Sequence, residues 1–154
     1  MTEKPVIYQI FTRLFGNRQD HPVVNGNICE NGCGKMDDID EGAIARIRQM
    51  GVTHIWLTDI IRHATTTDYT SAGIPRQTPM VVKGKAGSPY AITDYYDVDP
   101  DLAVDVERRM EEFVALVGRI HQAGMKVHRF RAQPCGPGIP LRLQARDGER
   151  LRTG

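Results

Sequence analysis

Apolar and polar positions change period several times along the chain, and each change marks an element. Pro5-Val-Ile-Tyr-Gln-Ile-Phe-Thr12 is rich in β-branched and aromatic residues and predicts a buried strand. Residues 16–38 carry breaker pairs at Gly16-Asn17, His21-Pro22, Asn25-Gly26 and Asn31-Gly32 and predict a loop. Asp38 or Asp40 can then cap a helix beginning near Glu41, with Ile44, Ile47 and Met50 along one face and Gly51 as its stop. Val52–Thr58 predicts a second strand, and Ile60-Ile61 prolongs its apolar character. Residues 64–89 form a polar stretch with Gly73, Pro75, Pro79 and Pro89, too long for a tight turn and of the kind that is usually functional or mobile. From Val104 to Gly124 the helical period is clear, with Val106, Met110, Phe113, Val117 and Ile120 as one stripe. Met125-Lys-Val127 opens a third strand. Strand, helix, strand in this order predicts a βαβ unit of a parallel sheet.

Gly87 to Pro100 follows neither period. It holds three of the five tyrosines, Tyr90, Tyr95 and Tyr96, among Asp94, Asp97 and Asp99. Rings beside carboxylates on a loop suit a sugar, whose apolar face stacks on the ring while its hydroxyls meet the acids. A structural loop whose tyrosines plug a core edge fits the same residues. Arg62 and His63 fall just past the second strand, where parallel α/β folds place ligand groups. His54, inside that strand, reads as a core or interface histidine.

Composition adds mostly exclusions. The net charge is +1, so no overall field draws the chain to nucleic acid or to a membrane surface. No apolar run reaches the length of a membrane span. The first residues lack a signal-peptide layout, which predicts a cytoplasmic protein. Cys29, Cys33 and Cys135 are an odd count without a second ligand pair for zinc, so free thiols are expected. Asn25, Asn27, Asp37 and Asp38 could offer oxygens to calcium, but they do not follow a calcium-loop pattern, and no cofactor is expected.

The series Tyr90-x-x-Thr93-Asp94-Tyr95-Tyr96-x-Val98-x-Pro100 resembles the loop after the second barrel strand of the alpha-amylase family of glycoside hydrolases. Val6–Arg13 resembles that family's first strand, and Gly51–Thr58 is similar to its second. The resemblance covers residues 5–127 and implies an α/β fold, an incomplete (β/α)8 TIM barrel with two strands, two helices and the start of a third strand. It implies an α-glucan or maltooligosaccharide substrate for the parent enzyme, with Tyr90 packing on the sugar and Asp94 fixing its loop. Arg62 and His63 complete the expected substrate-binding set. Asp59 stands where many relatives have proline, and Ala91 where many have an aromatic residue.

Family members need an aspartate nucleophile after the fourth strand and a glutamate acid/base after the fifth, two carboxyls about 5–5.5 Å apart for retention. The sequence ends before either, so the chain is expected to be catalytically incompetent, and no catalytic residue is assigned. After Val127 the expected strand also fails. Residues 128–154 hold six arginines, no lysine and no apolar period. Synonymous codons for His128–Pro137 exist whose +1 frame spells Ile-Asp-Phe-Val-Pro-Asn-His-Val-Ala, like the family's third strand. Residues 128–154 are therefore expected to be a frameshifted, disordered continuation. Two other readings stay open: a noncatalytic carbohydrate-binding or interaction module, and a small α/β protein whose basic tail meets an acidic partner.

Overall fold

The computed structural model describes residues 4–128 of the chain. The basic tail and its frameshift reading lie outside the described residues, apart from His128 itself. Three parallel strands form one sheet in the order β1 (Ile7–Phe11), β2 (His54–Thr58), β3 (Lys126–His128). Two main helices, α2 (Glu41–Gln49) and α3 (Arg109–Gln122), lie between successive strands in the chain, and a single-turn helix α1 (Ile28–Asn31) precedes them. The β1–α2–β2–α3–β3 order is that expected from the sequence. A closed barrel is not formed by these three strands.

The register explains the burial. Ile7, Gln9 and Phe11 stand beside His54, Trp56 and Thr58, while Tyr8 and Ile10 stand beside Ile55 and Leu57. Side chains alternate across a sheet, so these are its two faces. One face packs under the helices: Ile10, Ile55 and Leu57 join Ile44 and Ile47 of α2 and Leu116 and Ile120 of α3 in a single core. The other face is only partly covered. His54 and Trp56 stay half-buried there, and Ile7 is 51% exposed. The expectation of a buried first strand is corrected accordingly: in β1 only Ile10 is buried, because this strand is an edge and its inner face lacks a second layer.

Local chemistry sets the helix ends. Asp40, not Asp38, caps α2, its carboxylate accepting from the Ala43 amide at 2.7 Å. Gly51 then turns the chain with φ +80°, the left-handed conformation that glycine adopts freely. Met50 falls in that cap and is exposed, so the α2 stripe ends at Ile47. The second helix begins five residues later than its period predicts. Glu112 reaches back to accept the Val104 and Asp105 amides at 2.9 and 2.7 Å, holding that stretch as a turn before α3. Its stripe also shifts. Leu116 is fully buried with Ile120, Phe113 packs against the core, and Met110 points outward.

Residues 16–38 contain more structure than a loop. Asn27 and Glu30 form a reciprocal capping box at α1, at 3.0 and 2.7 Å. A short turn at Met36–Asp38 then drives Met36, followed by Ile39, into the core. The oxygens considered for calcium are engaged locally: Asn27 in the cap, Asp38 on the Lys35 amide, Asn25 on the Lys85 amide, and Asp37 beside Arg119. Among the described residues no group of three or more His, Cys, Asp or Glu side chains is placed to hold a metal ion. Cys29 and Cys33 are free thiols, and burial pushes the Cys33 thiol up to about 11.

Candidate functional site at the carboxyl ends of the strands

The strands deliver β1 and β2 to the same rim. Thr12 follows β1 and is fully buried, its hydroxyl donating to the Thr58 carbonyl at 3.0 Å. Arg13 and Asp59 come next on the two strands and meet, Arg13 Nε lying 3.3 Å from Asp59 Oδ2. Asp59 has φ +75°, a conformation that costs a non-glycine residue about 1 kcal/mol or more and turns the chain sharply off the sheet. Residues 61 and 63 then pair in antiparallel bridges with Val98 and Ile92, so the segment after β2 leaves and returns on a narrow stem. The polar stretch 64–91 is the excursion between the two legs of that stem.

A buried charged chain runs behind the stem. His63 is 3% exposed, and its Nδ1 lies 2.9 Å from Asp99 Oδ2. Its Nε2 lies 2.9 Å from Arg13 Nη2 and 3.3 Å from Asp59 Oδ1. Asp99 also accepts the Asp101 amide at 3.0 Å, and Tyr69 donates its hydroxyl to Asp101 at 2.6 Å. Burial raises the Asp59 carboxyl to about 6, against the lowering charges of Arg13 and His63. Burial alone would lower the His63 ring, but the Asp99 hydrogen bond and the charges of Asp99 and Asp59 outweigh it, and the net shift is upward. Burial, and then the Asp99 charge, raises Asp101.

The second ionic cluster is nearer the surface. Arg62 Nη1 donates to Asp97 at 2.8 Å and its Nη2 lies 3.1 Å from Asp94. Arg109 at the start of α3 grips the same Asp97 carboxylate through Nε at 2.7 Å and Nη2 at 2.9 Å. Burial would raise Asp97, but the Arg109 hydrogen bonds and the charges of Arg109 and Arg62 hold it below the usual carboxylate range.

Of the four residues singled out for substrate, the structure brings Arg62 and Asp94 into direct contact. It buries the His63 ring beneath them, next to a small cleft that Arg62, Tyr69 and Thr93 also line. Tyr90 lies elsewhere, 67% exposed at the edge of a mostly apolar cavity formed with Trp56, Asp59, Ile92, Phe113 and Val127. His54 opens β2 rather than sitting within it, and its Nδ1 is 2.8 Å from the Thr53 hydroxyl.

Arg13, Asp59, Asp99 and Asp101 were not among the predicted site residues. Asp59 carried a signal, since it replaces a common proline. Asp99 reads as a turn former before Pro100, and nothing local in the sequence announces that it faces a histidine 36 residues earlier.

Comparison with known proteins places this geometry. No protein-family model matches the chain, and no curated protein matches it. Among solved structures it is similar to an alpha-amylase from Lactobacillus plantarum, at 27% identity and TM-score 0.50, over 80% of this chain and 21% of that one. A noncanonic maltogenic alpha-amylase from Thermotoga neapolitana matches at 26% identity and TM-score 0.49, over 80% of this chain and 22% of that one. A cyclomaltodextrin glucanotransferase shares the fold at 19% identity and TM-score 0.50, over 82% and 25%. The chain spans about a fifth of the length of the first two. Its resemblance to alpha-amylase family enzymes thus holds in three dimensions and is consistent with an N-terminal fragment of such a protein.

Proposed function

We propose that this chain is the opening portion of the barrel of an α-glucan-acting, retaining glycoside hydrolase, and that it lacks catalytic competence as it stands. The observation that carries the reading is the combined match to the Lactobacillus plantarum alpha-amylase: 27% identity along a shared backbone covering 80% of the chain. The half-covered inner face of β2 fits the same reading, because in a closed barrel that face is filled by side chains from the remaining strands. Tyr90, at the strand-end rim, serves as the sugar platform. Arg62 and Asp94 fix the loop that carries it, and buried His63 braces that loop from below. In a complete enzyme the substrate is an α-glucan or maltooligosaccharide.

The chemistry argues for incompetence. Retention needs a nucleophile and an acid/base on facing sides of the scissile bond. The buried carboxylates here are engaged elsewhere: Asp59 lies beside Arg13 and His63, Asp99 bonds His63, and Asp101 bonds Tyr69. The test is turnover of maltooligosaccharide by the purified 154-residue chain, together with the DNA downstream of codon 127. No hydrolysis, and an out-of-frame barrel continuation, are expected. Sustained hydrolysis by this chain alone would overturn the proposal.

A further inference from the structure

We propose that His63 is a proton-operated latch between the turn after β1 and the segment after β2, exchanging Arg13 for Asp59 as the partner of its Nε2 atom. The geometry around one ring carries this. Nδ1 lies 2.9 Å from the Asp99 carboxylate, an acceptor, so the hydrogen of the neutral ring belongs on Nδ1. Nε2 is then a bare lone pair, and Arg13 Nη2 meets it at 2.9 Å. A guanidinium offers only N–H donors, so that contact exists only while Nε2 carries no proton. A proton arriving at Nε2 sets two donors against each other, and the contact must break.

The replacement acceptor is already in place. Asp59 Oδ1 lies 3.3 Å from the same nitrogen. Both Asp59 oxygens are buried, and neither accepts a hydrogen bond in this arrangement. Protonation of Nε2 gives Oδ1 a donor, while Oδ2 keeps Arg13 Nε, 3.3 Å away. The guanidinium therefore pivots about its Nε–carboxylate pair instead of leaving. A buried carboxylate that lacks hydrogen bonds in one state and gains one in the other gives the exchange its driving force.

Three elements each set one charged group against the ring. Arg13 comes from the turn after β1, Asp59 from the end of β2, and Asp99 from the return leg of the stem. Behind Asp99 stand Asp101 and Tyr69, and Lys35 bonds the Asp101 carbonyl at 2.6 Å. Asp59 and Asp99 favour the imidazolium and Arg13 opposes it. The turn loses its hydrogen bond to the stem on the acid side and regains it on the alkaline side.

The experiment is nitrogen-15 NMR of the dilute, uniformly labelled 154-residue chain between about pH 5 and about pH 8, with the His63 ring and Arg13 Nε signals assigned through bonds from the backbone of the wild-type chain. It needs no sugar and no turnover, so its result is separable from the fate of the glycosidase proposal. At the alkaline end the expected pattern is a protonated Nδ1 and a bare Nε2. On acidification Nε2 gains its proton, and the Arg13 Nε signal moves with the same midpoint. Arg13→Met should raise the His63 midpoint, and Asp59→Asn should lower it, each by at least about threefold in proton affinity. A hydrogen on Nε2 at the alkaline end, or an Arg13 signal indifferent to the His63 midpoint, would overturn the latch. Both are read in the wild-type chain, so they decide the matter even if a variant does not fold.

Discussion

Arg109 clasps Asp97 with two parallel N–H groups, at 2.7 and 2.9 Å, and so bolts the return leg of the stem to the first turn of α3. Bidentate guanidinium–carboxylate pairs are among the stronger polar contacts, and this one is largely shielded from water. Asp97→Ala should lower stability by about 2 kcal/mol in urea unfolding. The pH dependence has a definite sign. The folded carboxyl sits below its ordinary value, so its contribution is present above about pH 4 and fades as pH falls. A variant as stable as the wild type at neutral pH would contradict this.

Asp59 and His63 act in the opposite sense. Both have folded-state values above their ordinary ones, so the folded chain holds more protons than the unfolded chain. Stability therefore falls as pH rises. The Asp59 part is lost between its ordinary 3.8 and about 6, and amounts to about 3 kcal/mol. The His63 part is lost further up, above 6.5. In Asp59→Asn, urea midpoints measured across this range should lose the lower portion of the slope and show a smaller upper portion, because the Asp59 charge helps to raise His63.

Gly87 closes the far end of the excursion with φ +77°, and a Cβ there would overlap the Ala64 carbonyl. Gly87→Ala must displace the leg that carries His63. A loss of about 2 kcal/mol or more is expected, together with faster proteolysis within residues 64–91. Gly73 has a similar φ with open space around it, so Gly73→Ala should cost only about 1 kcal/mol.

Tyr90 is exposed, so its removal tests binding rather than folding. Tyr90→Ala should leave the melting temperature within about 2 °C of wild type. Weak maltooligosaccharide binding, read by ligand-observed NMR, should fall about tenfold or vanish. Binding retained in this variant would remove Tyr90 from the proposed platform.

Among the described residues β1 pairs on one side only, with β2, and its other side is open; Ile7 in it and Val6 just before it are 51% and 47% exposed. Open apolar edges pair with other chains. Sedimentation should show association that grows with concentration, and Ile7→Lys should reduce it.

The parts of the fold readable from sequence were those governed by period and by caps. The three strands, a cap at Asp38 or Asp40 and the Gly51 stop follow from local pattern, and so does the order that makes the sheet parallel, while the choice of Asp40 is made by the structure. Register along α3 was less legible. Val106, Met110, Phe113, Val117 and Ile120 and the true face through Phe113, Leu116 and Ile120 differ by a small rotation that only neighbours decide. Met36 was hidden because a single apolar residue among breakers has no period. The site split in the same way. Tyr90, Asp94, Arg62 and His63 were visible as chemistry past a strand end, but Arg13, Asp59 and Asp99 become partners only when segments about 46 and 36 residues apart are brought together.

The stem formed by Ile61 with Val98 and His63 with Ile92 has one further consequence. Its two rungs hold the ends of the excursion together. Doubling the length of such a closed loop adds only about 0.6 kcal/mol of chain entropy. Residues 64–91 can therefore gain or lose length between their packed points, Tyr69 on Asp101 and Gly87 against the Ala64 carbonyl, at little entropic cost.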